Sequence, residues 1–322
     1  AGEPFRIVVD GAPLLDGETV ADKRVHAQRS PDADRVRKLL VNEPRGHADM
    51  YGCFLVEQDD EGADLGVVFW HKDGYSTACG HGTIALATWA VETGVVQSDT
   101  DGDTDVTVDV PSGRVAGKVA KREGRVEHVT FRNVDSFVIA RNVTIDTSRG
   151  PVDVDVSYGG AIYASVLAEA VDLAVQPAHY NDLIAFGREV KAILEPTPYA
   201  THPSDSRLSG IYGTILYDDL GRTERGPHQR NVTVFADGEV DRSPCGSGTS
   251  ARVALLAADG ILRPDETLMH DSIVGTRFLA RSLPGERPDT VVPEVVGAAY
   301  RTGGHTFVLD DDDPLPTGFV LR

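Results

Sequence analysis

Runs of β-branched residues in alternating apolar and polar positions dominate the chain. They predict short strands at residues 5–9, 67–71, 105–110, 126–131, 152–156, 232–235 and 291–296. Helical periodicity is rarer. Ser30-Pro31-Asp32 joins an N-cap serine to a proline at the first helical position, and Val36, Leu39 and Leu40 then share one face. A second helix is predicted over 177–194. Two more follow Cys79 and Cys245 and end at glycines, Gly94 and Gly260. The apolar run 51–56 holds Cys53, which reads as core filler.

The last two helices begin alike. Cys79-Gly80-His81-Gly82-Thr83-Ile84-Ala85 and Cys245-Gly246-Ser247-Gly248-Thr249-Ser250-Ala251 stand roughly half the chain apart. Aligned, they share Cys, both Gly, Thr, Ala and the terminal Gly. A matched helix length behind a matched motif predicts two homologous halves, each β-rich with one central helix. We place the division where Arg149-Gly150-Pro151 breaks the pattern. Residues 1–148 then carry Cys79 and residues 149–322 carry Cys245, with the C-terminal segment free to return to the first half.

Composition narrows the function. The formal charge of −19 argues against a nucleic-acid partner or an anionic membrane surface, because the long-range field repels phosphates. Aspartate outnumbers glutamate 34 to 16 and arginine outnumbers lysine 25 to 6. A dense shell of short carboxylates stays hydrated when salt screens repulsion, so the surface reads as halophilic. Three cysteines are too few for a disulfide scaffold. No apolar run of about 18 residues predicts a membrane span. The N-terminus lacks a basic segment followed by an apolar one. A cytoplasmic protein is the expectation.

A cysteine at a helix N-terminus meets free N–H groups and the positive end of the helix dipole, which favour its thiolate. The glycines after it leave those N–H groups open to an anion such as a carboxylate. If the halves face each other about a pseudo-twofold axis, two thiols flank one ligand. Opposed acid/base groups around one carbon are what stereoinversion needs, with the N–H groups stabilising the carbanion. This chemistry requires no metal or organic cofactor. A CxxC zinc or redox site lacks its second cysteine, and no GxxxxGK[ST] phosphate loop occurs. A Cys–His hydrolase with His47 or His81 as base leaves the duplication unexplained.

Asp241-Arg242-Ser243-Pro244-Cys245-Gly246-Ser247-Gly248-Thr249 and Cys79-Gly80-His81-Gly82 resemble the signatures of the proline racemase family. So do 43–50 (Glu43-Pro44-Arg45-Gly46-His47-Ala48-Asp49-Met50), Asn133-Val134-Asp135-Ser136-Phe137-Val138, Tyr158-Gly159-Gly160 and Ser272-Ile273-Val274-Gly275-Thr276-Arg277-Phe278. The resemblance implies an α+β (α/β) fold of two pseudo-symmetric diaminopimelate epimerase-like domains, with the active site in the cleft between them. It makes Cys79 and Cys245 the acid/base pair. The backbone at Gly80, His81, Gly246 and Ser247 would hold the substrate carboxylate, Asp241 the ring nitrogen, and Phe235 and Tyr51 would wall the pocket. Glu43, Arg45, His47 and Asp49 read as an ion-pair or turn network rather than a metal cluster.

Two cysteines imply racemisation or 2-epimerisation. In the trans-3-hydroxyproline dehydratase branch the second position is typically Thr, so Cys245 argues against it. Yet His47-Ala48-Asp49-Met50-Tyr51-Gly52 and Tyr158-Gly159-Gly160-Ala161 look more like that branch, and the Tyr51 hydroxyl suits a polar ring substituent. The expected substrate is therefore proline, 3-hydroxyproline or 4-hydroxyproline, and the expected reaction is inversion at Cα. The rivals are dehydration and a non-catalytic prolyl-ligand binder. The sequence is silent on oligomeric state, although relatives are often dimers and a homodimer is a possible assembly.

Overall fold

The computed structural model describes residues 1–310 and 312–321. Among the described residues, sixteen strands join in one hydrogen-bonded sheet, and five α-helices accompany it: α1 (Val20–Ala27), α2 (Pro31–Val41), α3 (Gly80–Glu92), α4 (Tyr180–Leu194) and α5 (Gly246–Ala258).

Two helices are enclosed by sheet. α3 packs on the strands Gly102–Val110, Gly113–Arg122 and Arg125–Arg132, and buries Ile84, Leu86, Ala87 and Ala90 among Val106, Val119 and Val129. α5 packs on Ser136–Thr147, Gly150–Tyr158, Arg277–Pro284 and Thr290–Gly297. Both helices are apolar around most of their circumference, as enclosed helices must be. Each fully buried Leu, Ile or Val there contributes about 1.5–3 kcal/mol. Past each C-cap the backbone turns left-handed at a glycine, Gly94 (φ 74°) and Gly260 (φ 67°), as the sequence predicts. α4 is amphipathic and lays Leu183, Phe186, Val190 and Leu194 on the strands Ile211–Thr223 and Gly226–Phe235.

The strand Thr290–Gly297 connects the two surroundings. It pairs antiparallel with Arg125–Arg132, Val295 opposite Phe131, and with Ser136–Thr147, Thr290 opposite Phe137. Residues 148–149 form the turn of a hairpin in which Thr147 pairs with Gly150.

Several strands lack the alternation that would reveal them. Tyr51–Val56 and Ile162–Leu167 are largely buried on both faces, so they read as continuous apolar runs. α1 is also absent from the periodicity. It is short, and a capping box between Thr19 and Asp22 starts it. Among the described residues, no helix is long and apolar enough to cross a membrane.

Candidate active site

The two CGxGT helices meet end to end. A Cβ added to Gly80 would lie 2.5 Å from the Gly246 Cα, and one added to Gly246 would lie equally close to the Gly80 Cα. Neither helix could approach so closely with a side chain at that position.

Each cysteine caps its own helix. Cys79 Sγ accepts the Gly82 N–H at 3.2 Å, and Cys245 Sγ accepts the Gly248 N–H at 3.3 Å. The motif's second glycine is needed for this contact. A Cβ on Gly82 would stand 2.7 Å from Cys79 Sγ and 2.4 Å from the Phe5 ring, and a Cβ on Gly248 would stand 3.0 Å from Cys245 Sγ. The first-turn N–H groups of Gly80, His81, Gly246 and Ser247 have no intrahelical acceptor and gather at the junction.

The two caps differ in conformation. Cys79 is extended (φ −154°), whereas Cys245 has φ 61° and ψ 106°. A non-glycine residue there stores about 1–3 kcal/mol of strain. The surrounding hydrogen bonds hold it. Cys245 donates its N–H to Ser243 Oγ at 3.1 Å, and Asn231 Nδ2 and Thr249 Oγ1 donate to the Pro244 carbonyl at 2.9 and 3.0 Å.

His81 links Cys79 to Asp241. Its ring lies with Nε2 3.4 Å from Cys79 Sγ and Nδ1 3.2 Å from Asp241 Oδ2. Asp241 is 2% exposed, and its Oδ1 accepts the N–H and the hydroxyl of Ser243. Burial works to raise the Asp241 carboxyl, but the charge and hydrogen bonds of His81 and Ser243 outweigh it and hold the group below the usual carboxylate range.

The thiols depart from the sequence expectation. Burial pushes both Cys79 and Cys245 upward, and the negative charge of Asp241 adds to the rise. The helix-end N–H groups act in the expected direction, but desolvation is the larger effect. A charge on Cys245 would raise the cost of ionising Cys79 further. Cys53, fully buried in the core, is pushed up by burial as well.

An aromatic wall faces the junction. The Tyr51 ring stands edge-on to His81 at 5.2 Å and 5.8 Å from Phe235. Tyr212, which no local pattern in the sequence marks, stacks on Phe235 at 5.5 Å and donates or accepts a hydrogen bond with the Tyr51 hydroxyl at 3.0 Å. The Tyr51 hydroxyl also bonds Ser76 Oγ. Tyr163, equally unmarked, places its hydroxyl 2.7 Å from Ser247 Oγ and 3.9 Å from Cys245 Sγ. The positions singled out from the sequence therefore come together: Cys79, Gly80 and His81 on one helix end, Cys245, Gly246 and Ser247 on the other, with Asp241, Tyr51 and Phe235 around them.

A family profile described as proline racemase matches residues 1–320. The chain belongs to the proline racemase family. It is 45% identical over 326 residues to the trans-3-hydroxy-L-proline dehydratase of Burkholderia cenocepacia, covering 100% of this chain and 96% of that one. It is also 45% identical over 328 residues to the 3-hydroxyproline 2-epimerase of Burkholderia multivorans, with the same coverage. A hydroxyproline epimerase structure from Agrobacterium vitis, with bound trans-4-hydroxy-L-proline, superposes with a TM-score of 0.91 at 29% identity, covering 99% of this chain and 92% of that one. The fold is accordingly that of the proline racemases and their epimerase-like neighbours.

A second polar group lies behind the wall. Ligating atoms of His71, Asp73 and Glu239 fall within 4.8 Å of one another, a set that could hold a metal ion. The Lys72 ammonium already sits 2.7 and 2.8 Å from the Asp73 oxygens and 3.9 Å from Glu239, which supplies positive charge there. A cavity of about 1030 Å3 opens beside this group and reaches Tyr212, Thr77 and Ala161, but neither thiol lines it. His47 and Asp49 belong to a separate turn, where Asp49 accepts the Val240 N–H at 3.1 Å and pairs with Arg242 at 3.3 Å.

Proposed function

We propose that this enzyme removes the Cα proton of 3-hydroxyproline and that dehydration of trans-3-hydroxy-L-proline is its main turnover. The observation that carries the reading is the pair of cysteine caps on abutting helix ends. It supplies two thiols and a set of convergent N–H groups at one place. The 45% identity to proteins named for 3-hydroxyproline chemistry supports that substrate over plain proline.

In this reading the substrate carboxylate lies against the N–H groups of Gly80, His81, Gly246 and Ser247, and Asp241 receives the ring ammonium in competition with His81. One thiolate takes the Cα proton, and the N–H groups stabilise the negative charge that moves onto the carboxylate. In the trans isomer the carboxylate and the 3-hydroxyl lie on opposite faces of the ring. The Cα proton and the 3-hydroxyl therefore share a face. The Cα–H electron pair becomes the C2=C3 bond, the C3–O bond breaks, and the hydroxide leaves as water with one added proton. The enamine then tautomerises to pyrroline-2-carboxylate. Elimination needs a thiol on one face only, whereas inversion needs the second thiol on the other.

Retention of Cys245 favours a second reading, 2-epimerisation, in which that thiol returns a proton to Cα. Incubation in D2O with trans-3-hydroxy-L-proline separates the two. Pyrroline formation is the expected result. A 2-epimer carrying deuterium at Cα, without pyrroline, would establish epimerisation instead, and no exchange by folded protein would remove both. We also read the aspartate-rich shell as suited to a salty, reducing cytoplasm, and the catalytic use of Cys79 and Cys245 as independent of any cofactor.

A further inference from the structure

We propose that Tyr212 recognises the substrate's 3-hydroxyl and gives it the proton with which it leaves. The assignment rests on the 3-hydroxyproline reading above and extends it to a residue that the sequence did not mark.

Tyr212 packs among aromatic residues that flank the two helix ends. Its ring stacks on Phe235 and stands edge-on to Tyr163 at 5.7 Å, and the Tyr163 hydroxyl is 3.9 Å from Cys245 Sγ. Its hydroxyl bonds that of Tyr51, whose ring lies 5.2 Å from the His81 ring beside Cys79. One side chain thus borders the surroundings of both thiols. It is also the only member of its hydroxyl chain that lines the neighbouring cavity.

The chain of hydroxyls fixes what Tyr212 can do. Tyr212, Tyr51 and Ser76 carry one proton each, and the two links between them use two. One donor remains. With Ser76 donating to Tyr51 and Tyr51 to Tyr212, the free proton is on Tyr212. With both bonds reversed, Tyr212 presents lone pairs instead. The terminal hydroxyl therefore donates to a ring hydroxyl with every proton of the chain matched, whereas accepting from it would leave the buried Ser76 proton unmatched within the chain. Burial holds both tyrosines in the neutral form, and the nearby Cys79 opposes the ionisation of each. A ring without a 3-hydroxyl would leave this end of the chain unsatisfied, which is the arrangement that discriminates against analogues lacking a group.

The proton balance closes. The thiolate takes a proton from Cα as the C3–O bond breaks. Tyr212 gives its proton to the departing oxygen, which leaves as water. The proton gained by the thiol then replaces the one lost from the tyrosine, and the chain of hydroxyls returns to its starting state.

Two measurements on Tyr212→Phe test this, with Tyr51→Phe as a second variant that keeps the Tyr212 hydroxyl but cuts the chain. Calorimetric affinity for trans-3-hydroxy-L-proline should exceed that for L-proline by about 10-fold or more in the parent and fall close to equality in Tyr212→Phe. Elimination should drop at least about 100-fold in kcat in the same variant, while deuterium exchange at Cα of the bound ligand continues. Tyr51→Phe should show a smaller loss of both. An unchanged affinity ratio in Tyr212→Phe, or a parent that does not distinguish the two ligands, overturns the assignment. A parent that prefers the hydroxylated ligand through Tyr212 yet forms no pyrroline overturns the dehydratase reading and the proton-donating step, and leaves the recognition of the 3-hydroxyl supported.

Discussion

Gly80 and Gly246 touch backbone to backbone, and the site depends on that contact. An added Cβ on either glycine would lie 2.5 Å from the opposite Cα, well inside van der Waals distance, and the obstruction would be rigid backbone. Gly80→Ala and Gly246→Ala should therefore force the helix ends apart. The expected cost is about 1–3 kcal/mol of stability, as for other overpacked positions. The loss of turnover should be larger, about 100-fold, because displacements near 1 Å misplace the acid/base groups. The two variants should behave alike, since the contact is reciprocal. Urea melts and pyrroline formation would check this. Wild-type turnover in either variant would show that the helix ends need not abut during catalysis.

The two thiols should separate under substitution. The Tyr212 hydroxyl bonds Tyr51, whose ring lies beside His81 on the Cys79 side, so the proposed reading has the 3-hydroxyl and the proton removed with it facing Cys79. Cys79→Ala should lose elimination and Cα exchange together, by about 100-fold to 10000-fold. Cys245→Ala should lose inversion but keep elimination within about 10-fold. Product analysis by NMR distinguishes the outcomes. Equal loss of elimination in both variants would mean that the leaving group also depends on the Cys245 side.

Much of this site was legible because its chemistry is concentrated in two contiguous motifs. Cysteine, glycine spacing and a terminal glycine predict a capped helix from local rules, and the caps at Cys79 and Cys245 have that form. Tyr212 and Tyr163 were not legible. They enter from strands whose neighbours are apolar on both faces, so nothing distinguishes them from core aromatics until the sheet is assembled. The thiol ionisation was misjudged for a related reason. A helix end can be read locally, but the burial that outweighs it arises only when the elements assemble around it. The strand Thr290–Gly297, which ties both surroundings together, carries no local sign of its two partners.

The surface should respond to salt. With a net charge of −19 and 34 aspartates, the folded chain repels itself at low ionic strength. At about 1 M salt the screening length falls to about 3 Å, so most of that repulsion disappears. The melting temperature should rise steadily between about 0.1 M and about 2 M KCl, and turnover should rise with it. Scanning calorimetry across this range is the check. A flat or falling profile would show that the aspartate-rich shell is not an adaptation to salt.

Glu239 should give a pH-dependent stability of defined sign. It is fully buried, 3.3 Å from His71 Nδ1, and one of its oxygens has no hydrogen-bond partner. Burial raises its carboxyl well above the usual range, and the charge of Asp73 adds to the rise. The folded protein therefore keeps Glu239 protonated where the unfolded chain, near pH 4.5, has already released the proton. Its contribution is fully present below that unfolded value and is lost as pH rises toward the folded one, at up to about 1.4 kcal/mol per pH unit. Glu239→Gln cannot ionise, and its amide can donate to Asp73. Its stability relative to the parent should increase from pH 5 to pH 8, and the difference should close at or below about pH 4.5. Urea midpoints of the two proteins at pH 4.5, 6.5 and 8 measure it. A difference that stays constant over this range would mean that Glu239 is ionised in the folded protein, with Lys72 as its counter-ion.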